Sequence, residues 1–185
     1  MLKKRALKNI FLVTIALFIV LIIYTLKEVT KKTTYFDDAY YINNKELEIV
    51  YALNKDNFIS KVEVYVDNKL SNEEKVKLLL EILTIDSNKS ILLPSYFTPI
   101  LPKNTKVLNV EINKNILKVT FSKELLNISE KNSEKMLEAI IYTLSELQDI
   151  DGIEIYVLDK LLDYIPNTKK KLPTILTKEI GIKVN

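Results

Sequence analysis

The segment LPKNTKVLNVEINKNILKVTFS, residues 101–122, constrains this chain more than any other. Apolar and polar residues alternate on both sides of a Lys-Asn pair, which is the pattern of two half-buried strands joined by a short turn. Pairing them across Lys114 and Asn115 sets Ile112 opposite Leu117, Val110 opposite Val119 and Leu108 opposite Phe121 on one face. Asn109, Glu111, Lys118 and Thr120 then face away. A one-residue slip would carry every apolar side chain to the polar face, so burial of one face selects this register. Asn115 tolerates positive φ and Lys114 does not, so the turn is expected to bulge or lengthen. The apolar face needs a cover.

A second constraint lies at the start of the chain. Ile10 to Leu26 carry no charge, and thirteen of them are Ile, Leu, Val or Phe. At roughly −0.3 to −0.6 kcal/mol each, these favour insertion into a bilayer by about 4 to 8 kcal/mol. Lys8 and Lys27 can snorkel to the two interfaces. The run is longer than the core of a secretory signal, and no small-x-small cleavage pattern follows it. An uncleaved signal anchor over residues 9–26 is the expectation. Lys3, Lys4, Arg5 and Lys8 precede it, and this bias predicts a cytoplasmic segment 1–8 with the remainder outside the cell. Residues 27–44, polar and without helical periodicity, read as a spacer before a domain over 45–185.

Composition narrows the chemistry. The chain has no His and no Cys, so imidazole or thiolate nucleophiles and metal sites are excluded. The two glycines cannot form a phosphate-binding loop. The acid pairs Asp37/Asp38, Glu73/Glu74 and Asp149/Asp151 fall in the spacer, at a helix start and at a helix end, where structural roles suffice. No enzyme, metal or cofactor is expected. The net charge of +3 belongs to the anchor, because residues 28–185 hold 22 Lys against 24 Asp and Glu. No basic stripe with interleaved aromatics remains, so nucleic acid is not an expected partner.

Along the domain, ELEIVYAL and FISKVEVYV form a second hairpin pattern around NKDN. In SNEEKVKLLLEIL, Val76, Leu79, Leu80 and Leu83 fall on one helical face, and Ser71 with Glu74 makes a capping box. A proline-rich stretch from Asp86 to Thr105 follows, in which Pro94, Pro99 and Pro102 oppose regular structure. After the first-described hairpin, SEKMLEAIIYTLSEL puts Leu137, Ile140, Ile141, Leu144 and Leu147 on a second helical stripe. A cap is expected near Asn132 or Ser133 and a stop at Asp151-Gly152. IEIYVL reads as a strand and TKEIGIKVN as a short edge strand. The fold class is α+β: two helices on one face of a mixed or antiparallel sheet, in the order β-β-α-β-β-α-β.

The hairpin LPKNTKVLNVEINKNILKVTFSKEL, the helix EAIIYTLSEL and the strand GIEIYVLD together resemble the GerMN domain family of sporulation and spore germination proteins. In that family a proline and a small polar turn lead into a hairpin ending in Val-x-Phe-Ser, followed by a helix with a Thr-Leu pair and a strand. Pro102, Thr105, Val119, Phe121, Ser122, Thr143, Leu144, Gly152 and Ile155 occupy those places here. The family's hairpin turn commonly has Gly where this chain has Lys114 and Asn115. The chain has room for one such domain. The resemblance implies an assembly role, with a protein partner or a second copy of the chain in the cell envelope.

The remaining candidate is a surface. In SILLPSYFTPILP, residues 90–102, the apolar residues fit no periodic element. Some are expected to plug a sheet edge. Tyr96 and Phe97 are the candidate partner-binding residues, with Phe97 expected to be buried and Tyr96 exposed. Aromatics on a proline-stiffened loop bind at low entropy cost. A sensor or a domain that binds a cell-wall ligand is the alternative.

Overall fold

The computed structural model describes residues 18–20, 22–23 and 44–180. Most of the expected anchor, 9–26, and nearly all of the spacer lie outside them. Residues 18–20 and 22–23 are helical. Among the described residues, no helix is long and apolar enough to cross a membrane.

The domain runs through β1 (Lys45–Leu53), β2 (Ile59–Asp67), α1 (Asn72–Ile82), β3 (Val107–Asn113), β4 (Ile116–Phe121), α2 (Glu130–Leu144), β5 (Gly152–Val157) and β6 (Lys160–Leu161). Short 3-10 turns cover Asn88–Leu92, Lys123–Leu126 and Lys178–Ile180. The architecture is α+β, but the single expected sheet is two: β1 pairs with β2 alone, and the other strands form a sheet ordered β3-β4-β5-β6. The proline-rich segment makes only point contacts beside them. Leu53 and Thr98 form an isolated bridge, as do Thr84 and Leu101. Prolines lack the amide donors that a continuous ladder needs, so this segment cannot extend β1 into the larger sheet.

The central hairpin keeps most of the expected register. Val110 faces Val119 and Ile112 faces Leu117, but a bulge between Val107 and Asn109 places Val107, not Leu108, opposite Phe121. The extra residue turns Leu108 outward, where it is 49% exposed. Ile112, near the end of this edge strand, is 39% exposed. The turn is also tighter than expected. Lys114 (φ 48°) and Asn115 (φ 63°) both adopt left-handed geometry, the pair required for a two-residue turn matched to strand twist. β4 then runs parallel to β5, from Ile116 opposite Gly152 to Phe121 opposite Val157.

The first helix begins as local chemistry dictates. Ser71 Oγ accepts from Glu74 N–H and Glu74 accepts from Ser71 N–H, completing the capping box of α1. Val76, Leu79, Leu80, Ile82 and Leu83 are buried beneath it. Ser129, three or four residues earlier than the expected Asn132 or Ser133, is the N-cap of α2, and Ser145 is its C-cap. The helix thus ends before Asp151-Gly152. Gly152 serves a different need: a Cβ there would lie 2.4 Å from Ile175 Cγ2. Ile175 belongs to the C-terminal segment that bridges β5 through Leu176 and Ile153. The described part of the expected last strand, Lys178–Ile180, is a 3-10 turn. Phe121, Leu117, Leu80, Leu137 and Ile140 are among the largest fully buried side chains in the core.

Candidate functional site

Two polar clusters tie β1 to the helices. Glu46 and Glu48 stand two apart on the strand, so their side chains share a face. Lys75 of α1 reaches both, at 2.7 and 2.8 Å. The Lys75 and Glu48 side chains are each 14% exposed. Burial alone would depress the lysine's pKa, but the two carboxylates outweigh it and the net direction is upward. Lys75 is therefore a fixed cation committed to β1.

The second cluster centres on Tyr51. Its backbone N–H donates to Thr143 Oγ1 at 2.9 Å, and its hydroxyl donates to Glu146 at 2.8 Å. Lys178 also donates to Glu146 and lies 5.5 Å above the Tyr51 ring. Tyr142 meets that ring edge-on at 5.3 Å. Lys178 and then Tyr51 hold the Glu146 carboxyl below its ordinary pKa. Burial, followed by Glu146, pushes the Tyr51 phenol upward. Thr143 is fully buried, so its hydroxyl works as an internal acceptor for β1.

Between these clusters opens a cavity of about 340 Å³, bordered by Glu46, Glu48, Lys75, Glu146, Gln148 and Asp149, with Leu47 and Ile112 at its apolar part. Its Lys75, Glu46, Glu48 and Glu146 side chains already pair with protein groups. No group of His, Cys, Asp or Glu suited to a metal ion occurs among the described residues. Of the acid pairs considered from sequence, Glu74 serves the capping box, and Asp151 accepts from Asn115 Nδ2 at 3.1 Å. Asp37 and Asp38 lie outside the described residues.

The loop 90–102 divides sharply. Leu93, Ile100 and Leu101 are buried, and Phe97 packs partly buried against the core. Tyr96 is 52% exposed, its ring 4.9 Å from that of Phe97. Pro94 O accepts from Phe97 N–H at 2.9 Å, which closes the turn carrying Tyr96. Two neighbours were not singled out as site residues by sequence. Ile91, within the same apolar run, is 84% exposed. Lys55, from the distant β1–β2 turn, lies 6.0 Å above the Tyr96 ring. Only the unusual density of apolar residues in the run hinted at Ile91, and nothing local hinted at Lys55.

The segment around β3 explains the marker Ser122, whereas the Thr105 hydroxyl is buried without a hydrogen-bond partner among the described residues. Thr105 N–H donates to Pro102 O at 3.1 Å, with Asn104 left-handed at φ 64°. Ser122 Oγ accepts from Lys106 N–H at 3.0 Å, and Ser122 N–H donates to Lys106 O at 2.9 Å. Ser122 thereby continues the hairpin past the end of β4.

Comparison with known proteins agrees with this geometry. Residues 39–163 match the family model described as Germane, sporulation and spore germination. The spore germination protein GerM of Bacillus subtilis (strain 168) is 27% identical over 114 residues, which cover 61% of this chain and 31% of that protein. Less than a third of that relative's length is thus matched. The structure is similar to the tandem GerMN domains of the sporulation protein GerM from Bacillus subtilis, with a TM-score of 0.65, 23% identity, and coverage of 74% of this chain and 47% of that one. It is likewise similar to the first GerMN domain alone, with a TM-score of 0.64, 24% identity, and coverage of 72% and 98%. These two structures establish likeness of fold.

Proposed function

Because this chain belongs to the Germane family of sporulation and spore germination domains, we propose that it is a membrane-tethered, non-enzymatic interaction module of a sporulation, germination or envelope assembly. The run Ile10–Leu26 serves as a single-pass anchor with the N-terminus in the cytoplasm, and the domain stands outside the cell. The observation that supports a contact role is that most of the cavity's charged side chains fasten β1 to the helices. Lys75 is held by Glu46 and Glu48, and Glu146 by Tyr51 and Lys178. A protein partner or a second copy of the chain is the expected contact.

Crosslinking of the full chain in native membranes tests this. A defined protein adduct or a homo-oligomeric ladder supports the proposal, and monomer alone at every crosslinker length counts against it. Protease added to intact protoplasts should remove the domain; protection would reverse the orientation. The cavity of about 340 Å³ favours a second reading, capture of a cell-wall ligand. Saturable binding of wall fragments, lost on substituting Gln148, would move the function there.

A further inference from the structure

We infer that the loop Asn88–Tyr96 rests on the headgroup layer of an anionic bilayer, with Ile91, Leu92 and Tyr96 entering it. This builds on the tethered reading above. Ile91 is the most exposed of the large hydrophobic residues described, at 84%, and Leu92 and Tyr96 are also exposed. Such side chains on a loose loop would collapse inward, but this loop is braced from below. Ser87 Oγ accepts from Lys89 N–H at 3.1 Å, Leu93 N–H donates to Ser90 O at 3.0 Å, and Leu93 and Ile100 anchor the base in the core. The exposed tip is a fixed projection.

Its charge suits an anionic surface better than a basic one. From Ser87 to Asn104 the sequence contains Lys89 and Lys103 and no Asp or Glu, on a domain that is otherwise slightly acidic. Lys103 is paired with Asp86. Lys89 stands two residues from Ile91, and Lys55, whose turn neighbour Asp56 is the one carboxylate of that turn, lies over Tyr96. Aliphatic side chains, a tyrosine with its polar tip and flanking lysines are the composition that partitions to the interface of an anionic membrane. Residues 27–43 separate the apolar run from the described domain. Fully extended they span at most about 61 Å, ample for a tethered domain to lay this loop on the bilayer.

The chain has no Trp, so Ile91→Trp introduces a single indole at an exposed position. The full chain is reconstituted into vesicles of phosphatidylcholine with or without phosphatidylglycerol, with bromine on the acyl chains. In anionic vesicles the emission of the indole at position 91 should shift to the blue and lose most of its intensity to bromine. A Tyr65→Trp control on exposed β2 should do neither, and adding Lys55→Glu with Lys89→Glu should abolish the effect at position 91. If the chain floats with the vesicles and the indole at position 91 keeps a water-exposed, unquenched spectrum, the loop contact is overturned while the tether stands. Failure to float with any vesicle overturns both. Equal quenching at position 65, or crosslinking of position 91 to a protein in native membranes, also sinks the loop assignment.

Discussion

The β3–β4 hairpin turns through two residues and buries Leu117, Val119 and Phe121 of β4 completely, whereas β1–β2 turns through five and adds side-chain hydrogen bonds to the burial of its own apolar residues, Val50, Ala52 and Val64 among them. In the longer turn, Asn54 Oδ1 accepts from the N–H groups of Asp56 and Phe58, each at 3.0 Å, and its amide donates to Ser60. Farther along, Tyr51 and the Glu46/Glu48 pair hold β1 to α2 and α1. β4 is flanked by two strands, so its ladder satisfies the backbone on both sides. β1 has one full partner and one point bridge, at Leu53. β1, lacking a second full neighbour, is fastened by polar side chains.

Five substitutions bear on that difference. Phe121→Ala should open a cavity in the core and cost about 3 to 5 kcal/mol. A loss below about 1 kcal/mol in urea melts would mean that apolar burial is not what holds the central hairpin. Thr143→Val keeps the shape but removes the acceptor for Tyr51 N–H, and should cost about 1 to 3 kcal/mol. Unchanged stability would show that β1 does not depend on its polar fastenings.

Lys114→Gly should stabilise by about 0.5 to 1 kcal/mol, because a lysine pays a steric cost at φ 48° that glycine does not. Asn57→Gly, at φ 63° in the other hairpin, should change little, since asparagine tolerates that geometry. Equal gains at both sites would erase the contrast between the turns. A further small effect is on pH dependence. The Glu146 carboxyl is lowered in the folded state, so its contribution is present above its unfolded pKa and is lost as pH falls through the folded one. Melts of the parent chain should therefore weaken in that acid window by about 0.5 kcal/mol more than those of Glu146→Gln, a modest figure because Lys178 is half exposed. Parallel curves would remove Glu146 from the account.

What could be read from sequence was whatever depends on near neighbours. Ser71 and Glu74 announced the start of α1, and alternation placed Val110 against Val119. The family resemblance marked Thr143 without giving its reason, which is an acceptor for a strand 92 residues earlier. The bulge at Val107–Asn109 left no trace because bulged and regular strands share one alternation over most of their length. Lys75 looked like one lysine among many until the fold set Glu46 and Glu48 beside it. The proximity of Lys55 to Tyr96 was equally hidden, since it arises where a turn and a proline-rich loop converge.

The parallel pairing of β4 with β5 has a consequence for the order of folding. β3 can zip onto β4 through a local turn, whereas β5 cannot join until the chain containing all of α2 has been brought back, at a loop-closure cost in entropy. Val119 belongs to both pairings, facing Val110 on one side and Ile155 on the other. Weakening it should slow refolding in stopped-flow experiments, while loss of the Thr143 fastening should mainly speed unfolding. The reverse pattern would place the β1–β2 ribbon, not the central hairpin, in the folding nucleus.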